Sequence, residues 1–131
     1  MKLLLDTHVW IWSQLAPERL SKRARARLGA ADTELWLSPV SVWELLLLCE
    51  RGRLRLAPNP RAWIDSFFSQ VAVRDAPLTR TVAMLSRSIA MDHQDPADRF
   101  LAATAAAFDL TLVTADEPLL QGKGYRALAA R

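Results

Sequence analysis

KLLLDTHVWIWSQL (residues 2–15) decides the fold. Residues 2–5 are a short apolar run that reads as a fully buried strand. Asp6 and Thr7 are both good helix N-caps, and Val9, Trp10, Trp12 and Leu15 follow at helical spacing. Pro17 ends that helix. A buried strand that passes at once into a helix is the opening of a parallel α/β sheet covered on both faces. Ligands bind such sheets outside the carboxyl ends of the strands, which is where Asp6 stands.

The same pattern recurs outward from this stretch. Ser21 caps a helix through Leu28, stopped by Gly29. ELWLS (34–38) reads as a strand. Ser38 then caps, Pro39 takes the first helical position, and the helix runs to about Arg51 with Gly52 as its C-cap. RLRLAP (53–58) is an extended arm or loop, and Pro60 opens RAWIDSFFSQ (61–70). VAVRDAP (71–77) is a third strand, and Thr79 caps RTVAMLSRSIAM (80–91). Asp95-Pro96 opens a helix ending near Phe108. LTLVT (110–114) is a fourth strand, Asp116 caps a short helix, and YRALAA (125–130) is an edge strand. The expected architecture is α/β: three α/β/α layers around a parallel sheet of four to five strands, with right-handed crossovers. The 131 residues are expected to form one domain, 1–131.

Half the residues are apolar and 24% are charged, an ordinary globular balance. Uncharged stretches fall short of a membrane span, and Asp6 interrupts the first apolar run too early for a signal peptide. The single cysteine, Cys49, excludes an internal disulfide and fits a reducing cytoplasm. Net charge is +3, and fourteen of the seventeen basic residues are arginine. Arg19, Lys22, Arg23, Arg25 and Arg27 share one segment, and Arg51, Arg53 and Arg55 alternate in another. Such arginine suits a phosphate-rich partner or simply a solvated face, and the composition leaves both open.

The acids carry the chemistry. Asp6 ends the first strand. Glu44 is surrounded by apolar residues at 42, 43 and 45–48, and burying its charge is costly without a partner or cation. A capping box, Ser41-x-x-Glu44, is the competing explanation, although Ser38-Pro39 makes an earlier and better helix start. In DPAD, Asp95 fits N-cap and Asp98 fits the third helical position, where the helix dipole favours an acid without any metal. Asp95 is read as structural; Asp98 suits either task. Arg99 pairs with an acid, contacts phosphate or faces solvent. Asp116 is an N-cap or a cleft ligand, and the Thr114 hydroxyl is placed to orient a carboxylate or a water.

Two carboxylates ~4 Å apart repel by about 4 kcal/mol at an effective dielectric of about 20, so several in one cleft call for a cation. The reading is a divalent-metal phosphodiesterase site. His8 and His93 lack zinc-ligand spacing and are set aside. An oxygen ligand set suits Mg²⁺ or Mn²⁺. There is no glycine-rich phosphate loop and no Gly-x-Ser-x-Gly elbow.

LLLDTHVWIW, SPVSVWELLLLCERGRLRL, DHQDPADRFLAATA and LTLVTAD, in this order over nearly the whole chain, resemble PIN-domain ribonucleases, and within them the VapC-type toxins of bacterial toxin–antitoxin pairs. The resemblance implies a PIN-like α/β/α fold and RNA cleavage with Mg²⁺ or Mn²⁺. It implies Asp6, Glu44 and Asp98 as core acids, with Asp116 as the fourth. A homodimer and a cognate antitoxin are implied too. One departure is visible: relatives often carry lysine four residues after the helix glutamate, where this chain has Leu48.

The expected function is therefore a metal-dependent endoribonuclease toxin that inhibits translation by cleaving RNA. The alternative is a catalytically inactive scaffold that sequesters a protein or RNA partner, with Trp10, Trp12, Trp43 and Trp63 as anchors. A phosphatase or phosphoacceptor of similar topology ranks last, because His8 stands where a second aspartate would be needed.

Overall fold

The computed structural model describes residues 1–131. In chain order the elements are β1 (Lys2–Leu5), α1 (Thr7–Leu15), α2 (Lys22–Gly29), β2 (Glu34–Leu37), α3 (Pro39–Glu50) and α4 (Pro60–Gln70). They continue with β3 (Val73–Asp75), α5 (Arg80–Ser88), α6 (Pro96–Phe108), β4 (Thr111–Thr114), α7 (Glu117–Gln121) and β5 (Arg126–Ala129). The strands make one parallel sheet in the order β3-β2-β1-β4-β5. The expected sheet of four to five strands has five, with β5 on the edge as expected.

Strand β1 is central, and Leu3, Leu4 and Leu5 are at most 2% exposed. Alternate side chains of a strand point to opposite faces. Leu3 and Leu5 accordingly pack with Trp10, Leu45 and Phe67, while Leu4 packs on the other face with Leu101, Leu112 and Leu119. Trp10 meets Trp63 and Phe67 with ring centroids 5.8 and 5.4 Å away, which fastens α4 onto α1. Aromatic pairs of this kind add about 0.5–1.5 kcal/mol each beyond the area they bury. On the second face, Ala102 and Ala105 of α6 are buried and small, letting the helix approach the sheet.

Capping fixes where the helices begin. Ser21, Ser38, Thr79 and Asp95 each accept a hydrogen bond from a first-turn N–H, as their positions in the sequence predict. Asn59, just ahead of Pro60, does the same for α4. Pro17 not only ends α1 but starts a short 3-10 turn, Pro17–Arg19.

The chain runs outward from β1 to β2 and β3, then returns to lay β4 on the other side of β1. The switch point lies between β1 and β4. Helices leaving those two strands diverge to opposite faces and open a crevice at the carboxyl edge. Asp6 ends one of these strands and Asp116 follows the other.

Candidate active site

Asp6 is 7% exposed. One carboxylate oxygen accepts from the Thr7 N–H at 2.7 Å, and the other accepts from Thr114 Oγ1 at 2.7 Å. Asp6 is thus itself the N-cap of α1, so the competition between cap and cleft is resolved as both at once. Thr7, the other candidate cap, is used differently: its hydroxyl donates to Glu44 Oε1, with Ser41 Oγ 3.0 Å away. Glu44 is no capping-box residue, since α3 begins at Pro39 under a Ser38 cap. Burial is the main reason both acids are raised above the ordinary carboxylate range; their hydrogen bonds pull the other way.

Thr114 is fully buried and bridges two acids: it donates to Asp6 and accepts the Asp116 N–H at 3.0 Å. Asp116 holds the N-cap position of α7, yet its side chain makes no cap hydrogen bond. That carboxylate instead has Oδ2 3.4 Å from His93 Nε2.

Asp95 caps α6, accepting from the Asp98 N–H at 3.2 Å. Asp98 projects from the first turn with Oδ2 2.6 Å from His93 Nε2. Burial first, then the charges of Asp6 and Asp95, push Asp98 up to about 7 against the pull of His93. Burial alone would lower His93, but the hydrogen bond and charge of Asp98, with Asp116 and Asp95, outweigh it and raise the imidazole. The ligand atoms of His93, Asp98 and Asp116 lie within 4.8 Å of one another, close enough to hold one cation.

All four sequence-selected acids converge. Asp6, Glu44, Asp98 and Asp116, with Asp95 and His8, line one cavity of about 210 Å³ at the carboxyl edge of the sheet.

Two expectations need correction. His93, set aside for want of a second spaced histidine, is in contact with two of the acids. Its clue in the sequence is only that it lies five residues before Asp98; the contact requires the intervening chain to fold back. Arg99 takes none of the three fates expected of it. It is 6% exposed and forms no ion pair with any of the acids. Its guanidinium donates to the carbonyls of Ser86, Ile89, Met91 and His93 at 2.7–3.3 Å. Two of these carbonyls belong to the end of α5, where unpaired acceptors and the helix dipole favour a cation. Arg99 therefore ties α5 and the turn carrying His93 to α6. Among the tryptophans, Trp10 and Trp12 are buried in the core and Trp63 packs against it; Trp43 alone of the four is exposed.

The PIN domain family model matches residues 3–122, a span that includes all four acids. The chain is 36% identical to Ribonuclease VapC22 of Mycobacterium tuberculosis over 118 residues, covering 89% of this chain and 88% of that protein. It is similar in fold to VapBC2 from Rickettsia felis bound to a promoter DNA fragment, with a TM-score of 0.73, 15% identity and full coverage of both chains. It is also similar to VapBC-5 from Mycobacterium tuberculosis, a member of the VapBC family of toxin–antitoxin systems. That match has a TM-score of 0.59 and 20% identity, over 99% and 98% of the two chains. A sheet with its acids at the switch point, matched over nearly its whole length, makes this chain a member of the PIN domain family.

Proposed function

We propose that the chain is a divalent-metal-dependent endoribonuclease, the toxin of a type II toxin–antitoxin pair, inhibiting translation by cleaving cytoplasmic RNA. The observation that carries this reading is the convergence of four carboxylates, from four separate elements, on one cavity. Burial first, and then the charges of neighbouring acids, raise Asp6, Glu44 and Asp98 above their ordinary range, as in clusters of carboxylates at functional sites.

The residues fit a hard divalent cation. Their donors are carboxylate oxygens plus one imidazole, a set suited to Mg²⁺ or Mn²⁺. Asp6, Glu44 and Asp98 are the direct ligands in this reading, and Asp116 assists, with His93 within reach of the last two. When bound, such an ion lowers the pKa of a water and offsets charge on the scissile phosphate. The protein supplies the rest. The Thr7 N–H and Thr114 hydroxyl fix the Asp6 carboxylate, and the Thr7 hydroxyl fixes Glu44, so the acids need little reorganisation. Burial and the neighbouring acids raise Asp98 to about 7, and a bound cation would favour its ionised form. No covalent enzyme intermediate is required. Exposed arginines such as Arg51 and Arg53 hold the RNA backbone, with an affinity that falls as salt rises.

A cognate antitoxin is part of this reading, supported by the VapBC assemblies of the same fold. A homodimer is carried by the family resemblance. No helix is long and apolar enough to cross a membrane.

The test is cleavage of single-stranded RNA by the purified chain. Mg²⁺ or Mn²⁺ should support it, excess EDTA should stop it, and added ion should restore it. Undiminished cleavage in EDTA overturns the metal reading. No cleavage together with no thermal stabilisation by either ion would favour the inactive scaffold.

A further inference from the structure

The scheme above gives no task to the most conspicuous surface residue of α3. Trp43 is 57% exposed, whereas Trp10 and Trp12 are at most 8% exposed. It stands over a second hollow, about 290 Å³, that opens beside the acidic cavity and shares His8, Glu44 and Asp95 with it. From Glu44 the hollow continues past Leu47 and Leu48 to Arg51. Residues 44, 47, 48 and 51 fall on one helical face, and the rise from Glu44 to Arg51 is ~10 Å. The hollow is thus acidic where it joins the cavity, apolar and aromatic along its middle, and cationic at its far end.

That order matches a single nucleic-acid strand. Single-strand binding sites stack bases on exposed aromatic rings and hold the phosphates with cations. Leu47 and Leu48 give the middle of the hollow an uncharged wall, which suits the face of a base and not a phosphate. We propose that Trp43 and Arg51 form a subsite for one unpaired nucleotide of the RNA beside the cleaved bond, with its base stacked on the indole and its outer phosphate on the guanidinium. The inference rests on the ribonuclease reading above. Trp43 also borders an apolar hollow lined by Pro39, Leu78 and Phe100, so a protein partner is the rival occupant. Charge complementarity at Arg51 and continuity with the acidic cavity favour the nucleotide.

The experiment measures binding of a short fluorescent single-stranded RNA by anisotropy. It uses the wild-type chain in EDTA and the Asp6→Asn chain in Mg²⁺, two conditions that spare the RNA. Trp43→Ala should weaken binding by about 5- to 100-fold in both, as expected for loss of one stacked base. Trp43→Phe should retain affinity within about threefold, since phenylalanine also stacks. RNA should quench the tryptophan emission of the wild type and fail to quench that of Trp43→Phe. Arg51→Ala should reduce the slope of log affinity against log salt by about 0.7, one phosphate contact on a single strand. Affinity and salt slope unchanged in both alanine variants overturn the subsite while leaving the ribonuclease reading intact. A Trp43→Ala chain altered only in sedimentation behaviour assigns the indole to a protein contact and likewise overturns it. A wild-type chain that neither binds nor cleaves RNA removes the ribonuclease reading and the subsite together.

Discussion

The two banks of the acidic cavity are built on different principles. On one bank, Asp6 and Glu44 are held by neutral donors, the Thr7 N–H and the hydroxyls of Thr7 and Thr114. These residues sit at the junction of β1 with α1, on α3 and on β4, elements that also supply the core. On the other bank, Asp98 and Asp116 face an ionisable ring, His93, on a turn with no regular structure of its own. The side chains of His93, Asp98 and Asp116 are 24%, 15% and 32% exposed, so water screens this bank more than it does Asp6. The first bank is tied directly to elements of the core, with Asp6 buried and Glu44 partly buried. The second depends on one guanidinium, that of Arg99, gathering four carbonyls.

Breaking the first bank should have the largest effect. Asp6→Asn is expected to lower RNA cleavage by about a thousandfold, a loss of several kcal/mol of transition-state stabilisation. Asp116→Asn, on the wetter bank, should lose only about tenfold. Circular dichroism should show both chains folded. Equal losses from the two variants would erase the distinction between the banks.

The next largest effect probes what holds the second bank in place. Arg99→Ala should destabilise the chain by about 3 kcal/mol, because buried carbonyls lose a charged donor. Denaturant titration measures this. A variant as stable as the parent would mean that the turn needs no tether.

His93→Ala tests the ionic partner itself. We expect Mn²⁺ affinity about tenfold weaker, as for loss of a side chain that orients or joins a ligand set. Melting temperature against Mn²⁺ concentration reads it through mass action. An equivalent substitution at Thr7, to Val, would show whether the hydroxyl bank responds as strongly.

The smallest and most diagnostic effect is in pH. Asp98 is near 7 in the folded chain against an ordinary 3.8, so between those values the folded state holds a proton that the unfolded state has released. Stability must therefore fall as pH rises through that window. Asp6 and Glu44, also raised, act in the same sense. His93 is raised too; its contribution is complete below its ordinary value near 6.5 and is lost as pH climbs through the raised one. Metal-free protein should melt at higher temperature at pH 5 than at pH 8, and divalent cation should stabilise it more at pH 8. A metal-free chain more stable at pH 8 would contradict the raised carboxylates.

Much of the fold was legible because its signals are local. A leucine run marks β1, Ser38-Pro39 and Asp95-Pro96 mark helix starts, and each acts through its immediate neighbours. Asp6 and Asp116 were legible as candidates because each follows a strand, Glu44 because it lies against an apolar background, and Asp98 because it stands in the first turn of a helix. Asp6 and Asp116 showed the limit of that reading: cap and cleft residue have one sequence signature. Asp6 proved to be both, while Asp116 occupies the cap position without making the cap bond.

From the sequence alone come the alternation of strands and helices, the helix starts and the set of available carboxylates, since these depend on short-range periodicity, capping and charge. The ends were less legible, for α5 stops at Ser88 and not Met91, and β3 spans only Val73–Asp75. Tertiary structure alone decided that His93 meets Asp98 and Asp116, that Thr114 joins Asp6 to Asp116, and that Arg99 turns inward to backbone carbonyls. Asp6 and Thr114 lie 108 residues apart in the chain. Their contact follows from β1 and β4 being adjacent in the sheet, a long-range arrangement set by burial of the core on both faces that no local pattern encodes.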